Sequence, residues 1–195
     1  MSKIFSERQK QFILAGIKER TIFKDFLFQQ RATGQDFTIE KVSKVEGRDF
    51  WDIIFLSAGT KYLAEIKVRN TTLTQYKGSL IEKYKFDRLI NECQKYSDEF
   101  CEILVPLYVT IHLDNKIALF NLYNITEPVW SDAQGKVNTV VTTSNPVITK
   151  HQYSIPFSEA SIYNLPLTKD YNMLARETAE FLWPNQQFVL NRLAE

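Results

Sequence analysis

The sequence predicts a mixed α/β fold in the order helix, three strands, helix, strand, strand. Three observations predict it. Residues 6–30 carry a helical start signal and helical apolar spacing. Residues 37–68 form short β-rich runs broken by turn residues. A second helical stretch is then followed by the β-branched run 103–112.

Ser6-Glu7-Arg8-Gln9 reads as a capping box opening the first helix. Its apolar stripe includes Phe12, Ala15, Gly16, Ile22, Phe23, Phe26 and Leu27, and Glu19 lies on that stripe, four residues from both Ala15 and Phe23. A carboxylate is therefore aimed inward. Gly34-Gln35-Asp36 makes a turn before a strand at 37–43, and Gly47-Arg48 precedes a hairpin over 50–68 turning at Ala58-Gly59. Residues 74–96 read as the second helix, with Phe86, Leu89, Ile90 and Cys93 on its buried face and Lys83, Glu82 and Ser79 continuing that face toward the start. Strands at 103–112 and 117–123 flank the turn Asp114-Asn115-Lys116. Beyond them, 126–166 is rich in Thr, Ser, Asn, Tyr and Pro, with strand-like runs at 138–142 and 152–155. Thr168 is placed to cap a last helix reaching Trp183, which Pro184 interrupts. The domain reading is a core at 1–125 and a C-terminal β/α extension at 126–195 packed on it.

The chemistry concentrates in the hairpin. A turn centred on Ala58-Gly59 sets Asp52 directly across from Glu65, and the period of two along a strand sends Lys67 to the same face. Two carboxylates opposed at ~5 Å repel by roughly 3 kcal/mol at an effective dielectric near 20. A hard divalent cation would offset that repulsion, and an adjacent lysine could stabilise charge developing in phosphodiester cleavage. On this reading Asp52→Asn leaves the metal-free protein at least as stable as the parent. The apolar residues Ile53, Ile54, Phe55, Tyr62, Leu63, Ala64, Ile66 and Val68 make both faces of the hairpin look covered, so the charges need partners.

Composition narrows the classes. A chain of 195 residues with net charge +1 suits one ordinary domain. The charge is uneven: residues 1–100 carry 18 Lys/Arg against 14 Asp/Glu, and 101–195 carry 6 against 9. The basic excess is densest from Lys61 to Arg88, around the hairpin, as a phosphate-binding groove requires. Lys83, Lys85 and Arg69 are the candidate nucleic-acid contacts there, with Lys83 ahead of Lys85. Cys93 and Cys101 have no metal-ligand spacing, and His112 and His151 have no acidic or cysteine partner at ligand spacing. No phosphate-cradling glycine motif is present, which disfavours nucleotide hydrolysis. The polar start and the absence of a long apolar run predict a soluble, cytoplasmic protein that does not enter membranes.

Asp52, the Glu65-Ile66-Lys67 triplet and the order of elements resemble the PD-(D/E)XK phosphodiesterases, which include restriction endonucleases and Holliday-junction resolvases. The resemblance covers roughly residues 5–123 and departs from the pattern at Trp51, which stands where the family's proline would precede the first acid. It implies a restriction-endonuclease-like core, a mixed β-sheet flanked by helices in the order αβββαβ. It further implies a Mg²⁺-dependent deoxyribonuclease, an endonuclease before an exonuclease, with Mn²⁺ as a substitute. Asp52, Glu65 and Lys67 would be catalytic. Asp52, Glu65, the Ile66 carbonyl and Glu19 would hold the metal. The rival reading is an inactive nuclease-like module that binds DNA or a protein. A homodimer or larger complex is left open.

Overall fold

The computed structural model describes residues 7–43, 50–126, 128–136, 147–165, 170 and 173. The expected capping Ser6, the Gly47-Arg48 turn, the strand-like run 138–142 and the final helix to Trp183 lie outside the described residues.

Helix α1 (Glu7–Ala32) leads into strands β1 (Phe37–Val42), β2 (Ile53–Ser57) and β3 (Thr60–Val68). These three pair antiparallel in succession, with an extra residue in β1 between Ile39 and Lys41. The β2–β3 turn is two residues long, Ser57 pairing with Thr60. Ala58 (φ 48°) and Gly59 (φ 77°) both adopt the left-handed conformation that matches the twist of the flanking strands.

The expected helix over 74–96 is corrected. Leu73–Gln75 is a short 3₁₀ turn, β4 spans Gly78–Glu82, and α2 begins only at Lys83 and runs to Phe100. Buried Ser79 and Ile81 alternate with exposed Leu80, so period two prevails over the helical phase. Gly78 permits the close pairing with the later strand that carries Ile155, since a Cβ there would lie 2.4 Å from the Ile155 carbonyl oxygen.

Strand β5 (Leu104–Ile111) returns parallel to β3, and β6 (Lys116–Asn121) pairs antiparallel with β5. Strands β7 (Val129–Lys136), β8 (Val147–Pro156) and β9 (Ser161–Asn164) follow. Two sheets result: a six-stranded mixed sheet in the order β1-β2-β3-β5-β6-β9, and a three-stranded sheet in the order β4-β8-β7. Strands from beyond residue 125 thus take part in both, β8 pairing with β4 and β9 with β6. Among the described residues no helix is long and apolar enough to cross a membrane.

One face of the large sheet packs on α1, where Phe23, Phe26 and Leu27 meet Ile53, Phe55, Ile66 and Val109. The other face packs on α2 and the small sheet, where Phe86, Leu89 and Cys93 meet Leu63, Tyr108 and Ile155. The stripe expected on α1 is corrected at its start: Phe12 and Ala15 are exposed, and Ile13 and Ile17 are buried instead. Phe12-Ile13-Leu14-Ala15 is continuously apolar, so periodicity cannot select a face there and the sheet decides.

Candidate active site

The site forms where β3 outruns β2. Their pairing ends at Ile53↔Ala64, so among the described residues Glu65 to Val68 have no strand partner on that side. Asp52 sits just ahead of β2, one step beyond the last paired residues Ile53↔Ala64, and its N–H donates to the Ala64 carbonyl at 2.7 Å, so the expected register that opposes Asp52 to Glu65 slips by one residue there. Two backbone N–H groups of the overhang would otherwise be orphaned. Carboxylates accept both: Ile66 N–H donates to Asp52 Oδ2 at 2.8 Å, and Val68 N–H donates to Glu19 Oε1 at 3.1 Å. Side chains thereby extend a ladder that β2 leaves unfinished.

Glu19 is buried and reaches the end of β3 from α1, where its Oε2 meets Lys67 Nζ at 3.1 Å. Lys67 also lies 3.4 Å from Glu65 Oε1. Glu65 is nearly sealed, with its side chain 3% exposed, and Lys85 from α2 donates to the same Oε1. Burial pushes the Glu65 carboxyl above the usual range; Lys67 and Lys85 oppose this, and the nearby charge of Asp52 adds to it. Burial pulls Lys67 down, but Glu65, Glu19 and Asp52 together hold its ammonium well above the ordinary lysine value. Lys67 therefore stays protonated in this arrangement.

Sequence reasoning missed Arg20. Its Nη2 pairs with Asp52 Oδ1 at 2.8 Å and donates to Ser43 Oγ at 2.7 Å. Its Nε and Nη1 are buried without a hydrogen-bond partner. The signal was available, because Arg20 lies three residues from both Ile17 and Phe23, in phase with the buried face of α1. Three carboxylates, Glu19, Asp52 and Glu65, are thus matched by three cations, Arg20, Lys67 and Lys85. The expectation that Asp52→Asn simply relieves repulsion is corrected, since Asp52 already has a cationic partner. Among the described residues no three His, Cys, Asp or Glu side chains gather tightly enough to cage a cation in this arrangement.

The expected nucleic-acid contacts separate. Lys85 enters the site, whereas Lys83 pairs with Asp87 and lies 6.0 and 5.9 Å from the rings of Trp130 and Tyr153. Of the two, Lys85 and not Lys83 pairs with an acid of the cluster. The buried face of α2 centres on Phe86, Leu89 and Cys93, and one turn back from Leu89 is Lys85. Arg69 is engaged within the fold, donating to the Leu80 carbonyl and the Tyr108 hydroxyl. Parallel pairing sets Thr110 beside Lys67. The Thr110 hydroxyl lies 3.0 Å from His112 Nε2, while His112 Nδ1 faces the Thr71 carbonyl at 3.3 Å. Burial lowers the His112 pKa, which suits a neutral ring donating from Nδ1 and accepting at Nε2.

Compared with known protein families, curated proteins and solved structures, the chain matches none.

Proposed function

We propose that this chain is a divalent-metal-dependent nuclease of the PD-(D/E)XK type that hydrolyses phosphodiester bonds in DNA on a restriction-endonuclease-like core. One observation carries the reading. Glu19 from α1, Asp52 at the entry to β2, and Glu65 and Lys67 on β3 meet at one end of the mixed sheet. The donors gathered there are hard oxygens, the carboxylates of Asp52, Glu65 and Glu19 and the Ile66 carbonyl, with the carboxylates paired to Arg20, Lys67 and Lys85 in this arrangement. Burial raises the pKa of Glu65 and the charge of Asp52 adds to it, while Lys67 and Lys85 lower it. Those features fit Mg²⁺ or Mn²⁺. Such an ion, when bound, would lower the pKa of a water and neutralise a scissile phosphate.

The roles of the chain's own groups follow from their contacts. Asp52 and Glu65, with the Ile66 carbonyl, form the donor set. Lys67, held charged by Glu65 and Glu19, acts as a hydrogen-bond donor to developing negative charge and not as a proton acceptor. Glu19 positions Lys67 with one oxygen and fixes Val68 with the other. Lys85 orients the Glu65 carboxylate.

A second reading rests on the charge count. The three acids are already matched by three cations, so a nuclease-like module that binds DNA or a protein without cleaving would need nothing more. The two readings part in one experiment: purified protein is incubated with duplex, flap, junction and single-stranded DNA and with RNA, with and without Mg²⁺ or Mn²⁺. Metal-dependent cleavage that disappears in Lys67→Ala supports the nuclease. Binding with no cleavage under any condition supports the module.

A further inference from the structure

A carboxylate that serves a metal must present oxygen lone pairs to it, and both oxygens of Asp52 are engaged. Oδ2 accepts the Ile66 N–H at 2.8 Å and Oδ1 faces Arg20 at 2.8 Å. The guanidinium is an awkward occupant of this position. It uses a single nitrogen, Nη2, for both Asp52 and Ser43, so the contact lacks the two-point fork that makes arginine–carboxylate pairs strong. Its side chain is 10% exposed, and Nε and Nη1 are buried with no partner, which costs desolvation without return. One turn along α1, Lys24 adds a like charge, and its own pKa is lowered first by burial and then by Arg20. Lys67 and Lys85, by contrast, both pair with Glu65.

We propose that Arg20 is a resident counter-ion that holds Asp52 in the metal-free protein and competes with a divalent cation for it, so that metal loading requires the guanidinium to give up this carboxylate. The inference rests on the metal-dependent reading of the site. The physical reason is charge balance: three acids and three bases already sum to zero in a largely buried cluster. A dication added beside Asp52 meets an arginine whose charge it cannot screen. Arg20 is the cation on that carboxylate, and it is the one held by the fewest hydrogen bonds for its capacity.

The test measures Mn²⁺ affinity of the full chain by calorimetry for the parent, Arg20→Met and Arg20→Lys, without substrate. Removing the competing charge should tighten Mn²⁺ binding by about tenfold or more in Arg20→Met, while Arg20→Lys, which keeps the charge, should stay near the parent. Equal or weaker binding by Arg20→Met overturns the proposal. Should Arg20→Met fail to fold, the Arg20 Nε–H signal of the ¹⁵N-labelled parent decides. A signal that moves in step with Mg²⁺ occupancy upholds competition, and one unmoved at saturation refutes it. The underlying reading fails separately. Parent that binds metal and cleaves, with unaltered affinity in Arg20→Met, sinks only the counter-ion role. Tighter metal binding by Arg20→Met, with no cleavage of any DNA or RNA by the parent, sinks only the nuclease. No metal binding by any variant sinks both.

Discussion

Asp52→Asn tests the electrostatics of the site most directly, because two opposing contributions meet at this residue. Asparagine keeps the shape and an oxygen for the Ile66 N–H but removes the charge that faces Arg20 at 2.8 Å. With charge centres ~4 Å apart, the lost attraction is roughly 4 kcal/mol at an effective dielectric near 20. Weakening the charge-assisted hydrogen bond from Ile66 adds about 1 kcal/mol. Relief of the repulsion with Glu65 returns at most about 3 kcal/mol at ~5 Å. Lys67 and Lys85 already neutralise much of Glu65, so the true relief is smaller. The expected balance is a loss of about 2 kcal/mol, a melting point lower by roughly 4–8 °C in a domain of this size. Thermal and urea melts of metal-free protein, with Arg20→Met and the double variant completing a cycle, measure it. A variant melting level with or above the parent, or a cycle with no coupling between positions 20 and 52, would refute the Arg20–Asp52 account. Because the network itself predicts this loss, stability alone does not separate nuclease from module; cleavage does.

Lys67→Ala should reduce cleavage by about a hundredfold or more while leaving Mn²⁺ binding largely intact, and raising Mg²⁺ should not rescue it; recovery at high Mg²⁺ would remove Lys67 from the chemistry. Glu65 has its folded pKa raised above the ordinary 4.5, so the stability it contributes is fully present below 4.5 and is lost as pH rises through the folded value. Urea melts across that window should show the parent falling relative to Glu65→Gln with increasing pH, and parallel profiles would contradict the shift. Gly78→Ala forces a Cβ to 2.4 Å from a backbone oxygen that cannot easily move, and should destabilise the fold by about 1–3 kcal/mol in chemical denaturation. An unchanged midpoint would mean that β4 and β8 are not held at this separation.

The sequence by itself determined the local parts of this protein. Alternation and the Ala58-Gly59 turn fixed the pairing of β2 with β3 from Ser57↔Thr60 to Ile53↔Ala64 and set Lys67 on the side of Glu65, because a two-residue turn leaves one pairing; at Asp52 the register slips by one and its N–H meets Ala64. Helical phase aimed Glu19 inward, and the structure sets it against Lys67. Tertiary structure alone decided what these charges face. The partnership of Arg20 with Asp52 depends on where α1 crosses the sheet, which the continuous apolar run Phe12-Ile13-Leu14-Ala15 leaves open. Residues 78–82 become a strand because β8, more than 60 residues later in the chain, pairs with them. That pairing starts α2 at Lys83, and the packing of Phe86, Leu89 and Cys93 then turns Lys85 toward Glu65. Periodicity reports which side of a segment is apolar. Which neighbour fills that side is set by long-range packing, and the charge balance of the site follows from the neighbour.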